Sequence, residues 1–212
     1  FVGGQADQLG DEDIPTGEYY SLILFSTIGM IIMAAGMDLL AIYIGLELMS
    51  LAIYALAGFV KRDPKSIEAA LKYFLMGSFS SGVLLYGLAL LYGLTGSTQL
   101  AVMAEQVMVT GSNPALILAI ILLVGGFGFK IAAVPFHMWA PDVYEGAPTS
   151  VTAFIAIMPK VAALAAIFRI FVVSFADLHD HWVPVVQVLA VASLAVGAFG
   201  AIAQTNLKRL LA

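Results

Sequence analysis

Five side chains could carry protons where their sequence neighbours belong in oil: Glu47, Lys72, Lys130, Lys160 and His137. Glu47 lies in "YIGLELMSLAIY", where Tyr43, Glu47, Ser50 and Tyr54 form one polar stripe on a helix. Lys72 follows Glu68 by four residues, the favourable order for a helical ion pair. Lys130, in "GGFGFKIAAVPFHMW", has apolar near neighbours and no acid on its own helix. Its partner must come from another helix, and Glu47 at similar depth is the best candidate. Lys160 follows Pro159, and Ala153, Ala156 and Ala163 flank its face, so another helix or a water chain can come close. His137 stands seven residues after Lys130 and so shares its face, although a lone histidine near a helix end is more often a hydrogen-bonded structural residue than a relay. Asp142 and Glu145 read as caps or turn residues, His179 and His181 as solvated, and Arg169 as able to snorkel.

Lysine and glutamate are poor metal ligands as a set, and no histidine pair has ligand spacing. The chain has no cysteine, which excludes disulfides and cysteine-held iron–sulfur clusters. No glycine-rich phosphate loop follows a strand, and no basic patch points to nucleic acid. Proton handling remains. Burial disfavours the charged form of a lysine and a nearby carboxylate favours it, so a lysine between a near and a far acid has two protonation preferences. Moving one proton against 100 mV takes about 2.3 kcal/mol. A change of roughly two pKa units is worth about 2.7 kcal/mol, so modest rearrangement suffices. The alternative at each position is structural: a protonated Glu47 bonded to tyrosine, a locally paired Lys72, and buried ion pairs at Lys130 and Lys160 that only hold helices together.

The elements that position these groups must cross a membrane. The chain is 61% hydrophobic and 11% charged, against about 25% charged in soluble domains, and its mean hydropathy is +0.99. A bilayer core takes about 20 mostly apolar residues per helix. Six stretches qualify, at roughly 18–36, 38–60, 66–94, 114–139, 149–173 and 182–206. The expected fold is an all-α polytopic transmembrane bundle of about six spanning helices. "KRDPK", "GSNP", "APDVYEGAP" and "DLHDHWVP" punctuate it, and a weak amphipathic turn falls near 95–113. Gly125, Gly126, Gly128 and Pro135 predict a helix broken near 125–135, and Pro159 loosens the turn before Lys160. Unwound backbone is tolerated in a membrane where it lines a cavity or is buried in protein. Alternating crossings put Lys61, Arg62, Lys65, Lys208 and Arg209 on one side, the cytoplasmic one by the positive-inside rule. The acidic start (Asp7, Asp11, Glu12, Asp13, Glu18) reads as a solvated tail over 1–17. The opening at Phe1 and the closing "NLKRLLA" suggest a piece of a longer protein.

Three stretches carry a resemblance: "MDLLAIYIGLELMSLAIYALAGF", "SIEAALKYFLMGSFSSGVLLYGLALLYGLTGST" and "GFGFKIAAVPFHMWAPDVYEGAPTSVTAFIAIMPKVA". They resemble the antiporter-like subunit N family of bacterial NADH:quinone oxidoreductase (respiratory complex I), and "GLELMSLAIY" favours subunit N over its two sister subunits. The resemblance implies a longer bundle with two inverted five-helix repeats. Residues 18–173 would form the first repeat, and 174–212 the first helix of the second with "AQTNLKRLLA" joining the halves. It implies proton-path roles for Glu47, Lys72, Lys130 on the broken helix, Lys160 and His137. It also implies a bacterial inner-membrane location, neighbouring antiporter-like and small membrane subunits as partners, and no cofactor bound by this chain. NADH, FMN, iron–sulfur clusters and quinone would work in other subunits. The related alternatives are a subunit of a multisubunit cation/proton antiporter or of a membrane-bound hydrogenase, and a purely structural membrane subunit.

Overall fold

A computed structural model describes residues 16–111 and 113–212, so most of the acidic start lies outside the described residues. The described chain is a bundle of nine α-helices and one 3-10 turn. They are α1 (Thr16–Ala35), α2 (Leu39–Ala57), α3 (Pro64–Thr95), α4 (Leu100–Thr110), α5 (Pro114–Lys130), α6 (Ala140–Gly146), α7 (Thr149–Ser174), α8 (His179–Ile202) and α9 (Leu207–Leu210). Five of the helices are long and apolar enough to cross a membrane, and α5 is a sixth, shorter apolar helix of 17 residues. The expected six-helix bundle is therefore what folds, and the weak signal near 95–113 becomes the 11-residue helix α4.

Helix starts follow from local chemistry. Asp38, Asp63 and Asn113 each cap a helix by accepting from a backbone N–H two residues on, and Pro64 and Pro114 occupy first-turn positions where no N–H is needed. Asp38 also accepts from the Thr98 hydroxyl at 2.5 Å, and Leu39 N donates to the Thr98 carbonyl at 2.8 Å. This ties the start of α2 to the loop before α4. Gly96, at φ 68°, closes α3 in the left-handed conformation that glycine adopts without strain.

The core forms where small residues let helices meet closely. A Cβ on Gly29 of α1 would stand 2.5 Å from the backbone nitrogen of Met49, and one on Gly45 of α2 would stand 2.7 Å from that of Met33. Helices α1 and α2 thus touch backbone to backbone, as helices do where side-chain burial cannot drive association against lipid. Gly126 of α5 sits against Leu84 of α3, and the Ser80 hydroxyl donates to the Gly126 carbonyl at 3.2 Å. Helix α8 has no buried residue and lies at the margin of the described bundle.

The break in the fourth apolar segment lies after the glycines. Helix α5 stays regular through Gly125, Gly126 and Gly128 and ends at Lys130. The chain then turns through 131–139, with Ala132 at φ 58° and a cis bond between Val134 and Pro135. The glycines make room for the returning chain: a Cβ on Gly128 would stand 2.8 Å from the Phe136 ring. The freed backbone groups find partners inside the protein. Ala133 N donates to the Gly128 carbonyl, the Trp139 indole to the Phe129 carbonyl, and Val134 N to the Ser193 hydroxyl of α8. Pro159 does not interrupt α7, which runs unbroken from Thr149 to Ser174. Its missing N–H removes one hydrogen bond, and the neighbouring turns hold the helix together.

Candidate functional site

Lys130 is the last residue of α5 and is 4% exposed. Its ammonium donates to the Ser50 hydroxyl at 2.8 Å and to the Tyr54 hydroxyl at 3.2 Å. It also lies 5.6 Å from the centre of the Tyr54 ring and 5.8 Å from that of Phe129. Both hydroxyls belong to the polar stripe on α2. The stripe is the partner the sequence pointed to, but its charged member is not the one engaged. Lys130 and Glu47 form no ion pair, and Glu47 Oε1 is buried without a hydrogen-bond partner among the described residues. The reason is register: α5 stops at Lys130, and its amine reaches α2 one to two turns past Glu47.

Tyr54 is itself held. It meets Tyr73 edge-on at 4.8 Å and Phe74 at 5.9 Å, and its hydroxyl fills the space a Cβ on Gly77 would need. Tyr73 stacks flat on Trp139 at 4.4 Å, and Trp139 meets Tyr144 at 6.3 Å. Over the Tyr144 ring, at 5.3 Å, lies the Lys160 ammonium. A row of four aromatic rings from α2, α3, the break and α6 therefore runs from Lys130 to Lys160. Nothing in the spacing of these residues announced that row, because its members come from four separate stretches. Lys160 is half-buried, and its partner is an aromatic face, an attraction that gains strength out of water.

His137 does not share a helical face with Lys130, because the helix has ended; it sits half-buried in the break, with Nδ1 buried and unpartnered among the described residues. Glu47 Oε1, Ser81 Oγ, His137 Nδ1 and the Tyr144 hydroxyl are all buried atoms of this kind. Buried polar groups are as a rule paired by protein or water, so each of these atoms is a place where water or a moved side chain would be stabilised. Arg169 at the other end of α7 points its guanidinium at the Met37 sulfur, 2.8 Å away.

Lys72 belongs to a separate cluster at one end of the bundle. It pairs with Glu68 at 2.7 Å, as the spacing predicted, and with Asp142 at 2.8 Å. Arg209 of α9 pairs with Asp142 at 2.9 Å and Glu145 at 2.8 Å, and Lys65 pairs with Glu145 at 3.0 Å. Asp142 and Glu145 are thus not turn residues alone: they join α3, α6 and α9, and Lys208 adds a bond to the Ala147 carbonyl. Sequence reading missed this because the six charges are spread from Lys65 to Arg209 and meet only after folding.

The Lys72 ammonium, with Arg209 beside it, holds the Asp142 carboxyl below the usual carboxylate range; Arg209, with Lys65, does the same for Glu145. A depressed carboxyl contributes stability above its unfolded value and loses it as pH falls through its folded one, here below about pH 4. We expect hydrogen exchange of residues 206–212 to stay slow from neutral pH to about 5 and to speed up below about 4. In Asp142→Asn/Glu145→Gln the fast exchange should appear already at neutral pH. Slow exchange in that variant would show that the remaining contacts of α9, the Lys208–Ala147 bond among them, suffice to hold it.

Among the described residues no group of three or more His, Asp or Glu could hold a metal ion. What the arrangement offers is a buried amine on neutral acceptors, a carboxylate with one orphaned oxygen on the stripe that supplies them, and a second amine across an aromatic row.

Comparison with known proteins identifies the family and agrees with the fold. The family described as "NADH:quinone oxidoreductase/Mrp antiporter, TM" matches residues 36–212, and the chain belongs to that family. It is 52% identical over 201 residues to NADH-quinone oxidoreductase subunit N 2 of Rhizobium meliloti (strain 1021), covering 95% of this chain and 42% of that protein. A chain of respiratory complex I from Thermus thermophilus, solved with bound Aureothin, superposes with a TM-score of 0.76 at 42% identity, over 92% of this chain and 41% of that one. A chain of the Mrp complex from Dietzia sp. DQ12-45-1b superposes with a TM-score of 0.77 at 28% identity, over 86% and 34%. The chain spans about two-fifths of the length of the curated relatives it matches.

Proposed function

We propose that this member of the family is part of a membrane subunit of an NADH:quinone oxidoreductase and moves protons through its buried lysines and Glu47. One observation carries the reading. Lys130 is a buried ammonium in a membrane bundle, with hydroxyls and rings around it and no carboxylate paired to it. Such a charge is costly to keep in the membrane interior, and as structural glue it is poorly chosen, because a buried charge that touches no counter-charge is only partly compensated. A residue that takes up and releases a proton needs this kind of poise.

In this reading the chain holds no redox centre. Electrons pass from NADH through FMN and iron–sulfur clusters to quinone in other subunits, and the membrane subunits beside this one relay the driving signal. Residues 18–173 form the first repeat of the antiporter-like fold, α8 opens the second, and the end carrying Lys61, Arg62, Lys65, Lys208 and Arg209 faces the cytoplasm of a bacterial cell. Lys65 and Arg209 support the shared side, since both bind Glu145. Lys130 and Lys160 act as proton stations, Glu47 as the acid that biases Lys130, Lys72 as a station nearer the cytoplasm and His137 as a group beside the break.

The likeness to the Mrp complex favours a second reading, cation/proton antiport. Inverted membrane vesicles carrying the full-length protein in its complex separate the two. NADH-driven acidification that needs no sodium supports the first. Sodium- or potassium-dependent proton exchange with no response to NADH would replace it with the second.

A further inference from the structure

We propose that Ser50, Tyr54 and Gly77 build an uncharged seat for the Lys130 amine and act as positioning residues, holding it off Glu47 in one of two resting places. The proposal rests on the proton-translocation reading for its purpose but on geometry for its existence. The Ser50 hydroxyl already gives its one hydrogen to the Leu46 carbonyl at 2.5 Å. It can only accept from Lys130, so the contact at 2.8 Å fixes the amine as donor. The Tyr54 hydroxyl makes the second contact, and three things fix its place: the Tyr73 ring, the Phe74 ring and the slot above Gly77. Any side chain at 77 would occupy the position of the phenol oxygen. The glycine there is thus part of the lysine's site, two contacts removed.

Glu47 stands three residues before Ser50 on the same stripe, about 4.5 Å along the helix axis at 1.5 Å per residue. Lysine carries its ammonium on a flexible four-carbon stem, which covers that distance. On the seat the amine touches only dipoles and feels Glu47 at a distance; beside Glu47 it would touch an opposite charge. Exchange between the two places changes how firmly the proton is held and needs no covalent step. The orphaned Glu47 Oε1 fits this, being the unused place when the seat is filled.

The test uses the full-length protein in its assembled complex, reconstituted in vesicles, with the rate of NADH-driven proton transfer and the protons moved per NADH as readouts. Hydrogen bonds to a charged group are strong enough that losing one changes an equilibrium about tenfold. Tyr54→Phe keeps the ring packing and is expected to slow coupled proton transfer about tenfold, with Ser50→Ala similar. Ser50→Thr, which keeps the hydroxyl, should stay near wild type, and Gly77→Ala should reproduce Tyr54→Phe by displacing the phenol. Pairing Tyr54→Phe with Glu47→Gln removes both places and should be worse than the product of the single effects. If Tyr54→Phe does not assemble, the contrast between Ser50→Ala and Ser50→Thr decides. Wild-type rates in Ser50→Ala, Tyr54→Phe and Gly77→Ala, beside an inactive Lys130→Ala, overturn the seat and leave the functional reading standing. A fully active Lys130→Ala overturns the functional reading. The seat is then judged by labelling of Lys130 with a small membrane-permeable acylating reagent, read by mass spectrometry. Labelling that rises several-fold in Tyr54→Phe and Ser50→Ala upholds the seat; unchanged labelling overturns it.

Discussion

Lys130→Ala, in the full-length chain and the assembled complex, is expected to cut coupled proton transfer at least about a hundredfold, the order of contribution a positioned proton donor makes. Assembly should survive. The deletion removes a buried ammonium whose desolvation the fold must otherwise carry, and the two hydroxyls it releases are not both orphaned, since Ser50 keeps its bond to Leu46. Alanine leaves a cavity beside Tyr54; Lys130→Met fills much of it and should be equally inactive, which separates loss of the amine from loss of packing. The decisive variant is Lys130→Arg. A guanidinium keeps the positive charge but does not give up its proton in a protein. If Lys130 is a carrier, arginine is as inactive as alanine. If it is only a fixed charge that orders the break, arginine keeps most of the activity. Protons per NADH, measured with NADH oxidation in the same vesicles, distinguish these outcomes, and an active Arg variant would end the carrier assignment.

The parts of this site that were legible in the sequence are those that one helix displays by itself. The stripe of Tyr43, Glu47, Ser50 and Tyr54 follows from helical periodicity, and two of its members do bind Lys130. The Glu68–Lys72 pair follows from a four-residue spacing. The helix count follows from hydropathy because in lipid the backbone has no alternative to a helix. What was not legible depends on where one helix ends against another. Helix period alone predicted that Lys130 and His137 share a face, and the end of α5 at Lys130 cancels it. The same end sets the axial register that brings the amine to Ser50 and Tyr54 rather than to Glu47. The glycines of α5 announced something unusual, yet their effect is displaced: Gly125 and Gly128 receive Phe136 from the break, and Gly126 receives Leu84 of α3, rather than forming the break. The charge cluster around Asp142 could not be read at all, since α9 reaches α6 across more than 60 residues of sequence.

Gly29→Ala is expected to destabilise the protein strongly for a single added methyl. The new Cβ would meet the Met49 nitrogen at 2.5 Å, the Gly45 carbonyl oxygen at 2.6 Å and Met49 Cα at 2.9 Å. All three atoms are backbone, so no side chain can swing aside; α1 and α2 must separate. Overpacking that only shifts side chains costs about 1–3 kcal/mol, and here the whole helix pair moves, so a loss of about 3 kcal/mol or more is expected. Gly82→Ala is the control. Nothing lies within 4 Å of its Cβ, and removing a glycine from a helix interior gains about 0.5–1 kcal/mol. Thermal unfolding of the protein in nanodiscs checks both signs. Function should fall with stability in the first case, because α2 carries Glu47, Ser50 and Tyr54 and cannot shift without moving them from Lys130. Gly45→Ala strikes the same crossing from the other side, its Cβ 2.7 Å from Met33 N and 2.8 Å from the Gly29 oxygen. The two substitutions share one contact, so they should not add. Once the first methyl has parted the helices, the second finds room, and the double variant should be little worse than the worse single one. Full additivity would mean that Gly29 and Gly45 act at separate contacts rather than at one backbone crossing of α1 and α2.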